Sequence, residues 1–231
     1  MKTEVLRDAE AVAQRGAALI AALAREAVKA RGQFTWAVSG GSTPWRMLTH
    51  LVNEDVPWAQ VHVFQVDERV VETSSPARNF TQLAEHLLKK VPLSTSQVHA
   101  MNVADQLTLD QVALDYADQL QKLAGAPPQL DLVHLGLGTD GHTASLFEGD
   151  PATNVTNTWV AVTQTHAGFR RLTLTYPVLA AARSVLWVVA GADKADALRK
   201  LLAGDGSIPA GRVSAKHATV LADTAAMAST H

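Results

Sequence analysis

Leu130-Asp131-Leu132-Val133-His134-Leu135-Gly136-Leu137-Gly138-Thr139-Asp140-Gly141-His142-Thr143-Ala144-Ser145-Leu146-Phe147 is the stretch that decides the reading of this chain. It starts as an apolar run of the kind buried on both faces of a parallel sheet. It then turns, and Gly136, Gly138, Gly141, Asp140 and His142 crowd together. Glycine lets backbone approach a ligand closely. Histidine is the side chain whose charge changes near neutral pH. A strand, a glycine turn and a histidine, in that order, mark where an open α/β sheet places its chemistry.

The same alternation extends outward from this stretch. Asp8 to Lys29 reads as an alanine-rich amphipathic helix with Val12, Leu19, Ile20 and Leu23 on one face. Phe34–Val38 is a short strand, cut by Ser39-Gly40-Gly41-Ser42-Thr43-Pro44. A helix is expected to start there, with Ser42 or Thr43 as its cap and Pro44 in its first turn. Val61–Val66 is the next strand and ends at Asp67-Glu68-Arg69. Helices are expected over about Asn79–Lys89, Thr108–Leu123 and Lys194–Leu202. Further strands are expected at Trp159–Thr163, Arg171–Leu174 and Ser184–Ala190, and Val220–Met227 reads as a strand or turn running into a helix. Strands alternating with helices imply an α/β fold with a mostly parallel sheet covered by helices on both faces. No repeat or long linker divides residues 1–231, so one domain is expected.

Bulk properties exclude several classes. The net charge of −2 gives no general affinity for nucleic acid or a membrane surface. The chain has no cysteine, which removes disulfides and thiolate metal sites. No stretch reaches the roughly 18 apolar residues of a membrane span. Glu4, Arg7, Asp8 and Glu10 interrupt the first segment, so no signal peptide is expected and the expected location is the cytoplasm.

Three polar clusters each follow an expected strand. Turns far apart in sequence meet at one crevice when they share the C-terminal edge of a sheet. Ser39–Thr43 combines adjacent glycines and hydroxyls at a helix start, the local chemistry of an anion site. It is neither a Walker loop nor a dinucleotide fingerprint. Asp67-Glu68-Arg69 is either a solvated charge run or a working group. In the second case Arg69 grips a phosphate or carboxylate and Asp67 orients or polarises a catalytic group. His142, flanked by glycine and followed by Thr143 and Ser145, is the candidate base; its competing role is to cap a following helix. His134, inside a strand, reads as structural. Arg171 and Lys194, at later strand boundaries, are further candidates for a phosphorylated ligand. No histidine or carboxylate spacing resembles a metal site.

Ser39–Pro44, Asp67-Glu68-Arg69, Gly136–Phe147, Arg171-Leu172-Thr173-Leu174-Thr175 and Gly191-Ala192-Asp193-Lys194-Ala195 together resemble the glucosamine-6-phosphate isomerase/6-phosphogluconolactonase family, in its lactonase branch. The likeness spans about residues 36 to 202 in one order. It implies a Rossmann-like (NagB-like) fold and hydrolysis of 6-phospho-D-glucono-1,5-lactone in the oxidative pentose phosphate pathway. It also implies no metal and no cofactor, with a phosphorylated sugar lactone as partner to a monomer or weak homodimer. By position, His142 is the implied general base with Asp67 near it. Gly40, Gly41, Ser42, Thr43, Arg69, Gly138, Asp140, Arg171 and Lys194 are the implied substrate contacts. Glu148 stands where the family usually carries proline. Two other readings compete. One is an isomerase/deaminase of the glucosamine-6-phosphate type, whose relatives carry Asp-Glu-Tyr where this chain has Asp67-Glu68-Arg69. The other is a non-catalytic sugar-phosphate sensor.

Overall fold

A computed structural model of the chain describes residues 1–103, 108–214 and 217–228. The strands are β1 (Lys2–Leu6), β2 (Phe34–Val38), β3 (Val61–Gln65), β4 (Asp67–Arg69), β5 (Val98–His99), β6 (Leu132–Leu135), β7 (Val160–Val162), β8 (Arg171–Leu174), β9 (Val185–Val189) and β10 (Ala218–Asp223). The helices are α1 (Ala9–Arg31), α2 (Ser42–Leu51), α3 (Asn79–His86), α4 (Leu109–Ala124), α5 (Tyr176–Ala181), α6 (Ala195–Leu202) and α7 (Thr224–Met227).

Seven strands form one sheet in the order β1-β10-β9-β6-β2-β3-β5. Every pairing in it is parallel. The central strands are fully buried and mostly apolar because both of their faces are covered. Side-chain alternation along a strand divides them between two cores. Phe34, Trp36, Val38, Leu186 and Val188 face the core closed by α1 and α2. Ala37, Val133, Leu135, Val185, Trp187 and Val189 face the core closed by α4, α5 and α6.

Local chemistry sets where the elements begin and end. The Asp8 carboxylate accepts from the Ala11 N–H at 2.8 Å and caps α1, and Gly32 at φ 77° closes it. From β2 the chain runs outward through β3 to β5, whereas from β6 it runs the other way through β9 to β10. The switch point therefore lies between β2 and β6, and the crevice opens beyond their C-terminal ends.

The sheet is mostly parallel as expected, and three short strands lie outside it. Asp67–Arg69 and the two strands expected around residues 160 and 171 form a separate antiparallel sheet, in the order β4-β8-β7. The backbone continues past β3 and bends away, so the charged triplet becomes a strand of its own. Its pairing sets Asp67 opposite Thr173 and Arg69 opposite Arg171.

Candidate active site

The crevice is a cavity of about 250 Å³. Its lining includes Ser39 to Pro44 after β2, Asp67 and Arg69 of β4, Gly136 to Gly138 and His142 after β6, Arg171 of β8, and Lys194 before α6. Turns distant in sequence meet there, as their shared edge of the sheet predicts.

His142 lines this cavity about one third exposed. Its Nδ1 lies 2.6 Å from the Asp140 carboxylate, which also accepts the His142 backbone N–H at 3.1 Å. A carboxylate only accepts, so the proton in this contact sits on Nδ1, and in the neutral ring the lone pair is on Nε2. Partial burial works against ionisation of Asp140. The His142 backbone N–H and ring outweigh that and hold the carboxyl below its ordinary value. Gly138 lies under this pair: a Cβ there would collide with the His142 ring and Asp140 Oδ1. The Gly138 N–H donates to the His142 carbonyl at 2.8 Å, closing the turn. No helix follows for His142 to cap, because the next turn, Pro151–Asn154, is capped by Asp150.

Asp67 is buried and accepts from the Ser145 hydroxyl at 2.6 Å. It shares the cavity with His142, but the carboxylate in contact with the imidazole is that of Asp140. Arg69 and Arg171 stand directly opposite each other across β4 and β8. Like charges in that register repel. Burial lowers the proton affinity of Arg171, Asp67 opposes this and Arg69 adds to it. Both guanidinium Nε atoms are buried without a hydrogen-bond partner among the described residues. Two paired, partly unanswered cations form a place for an anion.

The expected cap on α2 is corrected. Gly41, not Ser42 or Thr43, is the N-cap, at φ 133°, with no side chain bonded to the helix start. A side chain at that φ is strained, so the sequence places glycine there. Ser42 and Thr43 become the first helical residues, and the uncapped start faces the cavity with its dipole. Lys194, three-quarters buried, reaches the same cavity with Asp193 at 3.5 Å from its Nζ.

Two contributors escaped sequence reasoning. Glu68 faces away from the cavity, fully buried, and accepts from the Asn79 and Phe80 backbone N–H groups, each at 2.8 Å, at the start of α3. Strand alternation separates it from Asp67 and Arg69. Asn79 lines the cavity and donates to the Asp67 carbonyl at 3.1 Å. The only local signal for either residue is an acidic group preceding a helix. Among the described residues, no three histidines or carboxylates gather as metal ligands. No described helix is long and apolar enough to cross a membrane.

A family model described as glucosamine-6-phosphate isomerases/6-phosphogluconolactonase matches residues 7–222. The chain belongs to this glucosamine-6-phosphate isomerase/6-phosphogluconolactonase family. A 6-phosphogluconolactonase from Nostoc sp. is 38% identical over 204 residues, covering 87% of this chain and 84% of that protein. A solved 6-phosphogluconolactonase from Thermotoga maritima superposes with a TM-score of 0.85 at 27% identity, over 96% of this chain and 98% of that one. A solved monomeric glucosamine-6-phosphate deaminase superposes with a TM-score of 0.83 at 20% identity, over 98% of each chain. The family's fold therefore carries more than one reaction, and the side chains in the cavity must choose between them. Glu148, where the chain leaves the usual pattern of the lactonase branch, is exposed and does not line the cavity.

Proposed function

We propose that the chain hydrolyses 6-phospho-D-glucono-1,5-lactone to 6-phospho-D-gluconate, a step of the oxidative pentose phosphate pathway. The observation that carries this reading is His142. Its Nδ1 is occupied by Asp140 and its Nε2 is open, in a cavity that also holds Arg69, Arg171, Lys194 and a helix start.

His142 Nε2 takes a proton from water as the water oxygen bonds to the lactone carbonyl carbon. The carbonyl electron pair moves onto its oxygen, giving a tetrahedral oxyanion. Collapse re-forms the carbonyl and breaks the bond to the ring oxygen, which leaves with the proton held by the imidazolium. The Gly138 N–H is committed to the His142 carbonyl, so stabilising the oxyanion falls to a cation. Arg171 is the candidate: its guanidinium packs on the Phe147 ring, 5.1 Å from the centroid, and Phe147 also touches the His142 ring. Asp67 sets the field around Arg171 rather than touching the base. The phosphate takes the other positive groups: Gly40–Thr43 at the start of α2, Arg69 and Lys194. Gripping the phosphate away from the reacting carbon fixes the attack geometry.

The protein is further read as a cytoplasmic monomer or weak homodimer whose partner is the small phosphorylated lactone, with no role for nucleic acid or membrane. The test is direct. Purified protein is given 6-phosphogluconolactone, and separately glucosamine 6-phosphate. Lactone loss well above the spontaneous rate, without ammonia release, is expected. Ammonia release with no lactone loss sinks the reading in favour of the deaminase. Binding without turnover of either sugar makes the chain a sensor.

A further inference from the structure

The segments that follow the His142 turn hold a second histidine–carboxylate pair. His166 Nε2 lies 2.6 Å from Asp150 Oδ2. The Asp150 side chain is fully buried, whereas His166 is about a quarter exposed. The His166 ring stacks on Phe147, with centroids 4.1 Å apart and planes 17° from parallel. Phe147 in turn lies against the His142 ring, centroids 4.6 Å apart. Neither His166, Asp150 nor Phe147 lines the cavity. A row of three rings thus runs from a buried carboxylate outside the cavity to the imidazole inside it.

The hydrogen bond to Asp140 holds the His142 ring at its Nδ1 edge. A contact on the ring itself supplies the second constraint. Phe147 gives that contact, and Phe147 has its own position set by the stacked His166. His166 is held in turn by the hydrogen bond to Asp150. We propose that His166 is a positioning residue for the hydrolysis: anchored by Asp150, it holds Phe147 against His142 and so aims the open nitrogen of the base. This rests on the reading of His142 as that base.

The test combines His166→Ala and His166→Gln, each made in the wild-type chain and in His142→Ala, with kcat and KM measured on the phosphorylated lactone. Asp150 also accepts from the Ala152 and Gln164 backbone N–H groups at 2.8 and 2.9 Å, so losing the imidazole does not orphan its charge. His166→Ala is expected to lower kcat on the order of tenfold, part of the roughly 10²-fold that a misplacement of about 1 Å can cost, with KM changing less. His166→Gln, which can return an N–H to Asp150, is expected to lose less. In the His142→Ala background either change should lower the residual rate much less, because no base remains to be aimed and only the Phe147 contact with Arg171 is disturbed. The His142 ring-proton resonance, which feels the Phe147 ring current, should move in His166→Ala. A wild-type kcat in His166→Ala, or equal losses in both backgrounds, overturns the positioning role. Full activity in His142→Ala overturns the base itself, so the two failures are told apart. Should His166→Ala not fold, His166→Gln decides by the same comparison of backgrounds.

Discussion

Both ends of the parallel sheet collect charge, on opposite terms. At the N-terminal ends, Asp131 precedes β6 and is nearly buried. It accepts from the Thr35 backbone N–H at 2.8 Å, the Thr35 hydroxyl at 3.0 Å and Arg31 at 2.7 Å, with Arg183 at 3.5 Å. Its lone pairs have partners, and the cluster ties β2 to β6. At the C-terminal ends, Arg69 and Arg171 face each other with buried Nε atoms unanswered, and His142 Nε2 is open. One end is finished by folding, while the other is left with unmet capacity that a ligand would fill. Unmet polar capacity costs stability, and at Arg69 and Arg171 it lies on the cavity lining, in contrast to the satisfied Asp131 cluster.

The sharpest way to break this contrast is His142→Ala. Its turnover number should fall roughly 10²- to 10⁴-fold, the range for a general base, with thermal stability nearly unchanged. An unaltered turnover in the folded variant would remove the open nitrogen from the chemistry. Next in size is Arg69→Ala. Losing a charge-assisted contact worth about 1.5–3 kcal/mol should raise KM for the phosphorylated lactone roughly 10- to 100-fold. An equal loss with an unphosphorylated lactone would contradict its phosphate role.

Asp131→Ala tests the finished end. It strands the Thr35 N–H in the core, so denaturant unfolding should lose about 1–3 kcal/mol while kcat and KM stay put. A change in KM would mean that the two ends are not separate in function.

The smallest expected effect, taken per pH unit, concerns His134, on the strand that joins the two ends. Burial pushes its pKa down to about 3 from 6.5. Its Nδ1 accepts the Ser39 backbone N–H at 3.3 Å, so the neutral ring steadies the turn after β2. In the unfolded chain the imidazole takes up a proton below its ordinary value, and in the folded chain it does not. The unfolded state therefore binds more protons across the window from 6.5 down to about 3, and stability falls with pH there. His134→Leu should flatten that slope by about 1.4 kcal/mol per pH unit, read by denaturation at several pH values. Parallel slopes for the two proteins would show that the ring is not held neutral.

His134 and His142 also show how far local sequence reaches. Both sit on one strand and its turn, and flanking residues already separate them: an apolar run around the first, glycines around the second. The strands β2, β6 and β9 were legible because cover on both faces makes them mostly apolar, with only Thr35 and His134 polar. Helix α1 was legible from its period, and Asp8, at the expected helix start, is its N-cap. β1 was not legible, since Lys2–Leu6 is a largely exposed edge strand that exists through its pairing with β10. β4 was read as a charged end of β3, because three charged residues carry no strand signal until β8 lies beside them. The carboxylate beside His142 differs from the one the family likeness implies. Asp140 was read as a substrate contact and Asp67 as the near neighbour, whereas Asp140 touches the ring.

By itself, the sequence determined the alternation of strands and helices and the glycine-rich turns at strand ends. Those follow from side-chain period and backbone sterics, which act over a few residues, and they suffice to predict a crevice holding Ser39–Thr43 and His142. Only the tertiary structure decided that Arg69 faces Arg171, that Glu68 turns inward to hold α3, and that Phe147 and His166 stand behind His142. Each depends on strand register and on packing between segments far apart in the chain, and no local pattern carries that information.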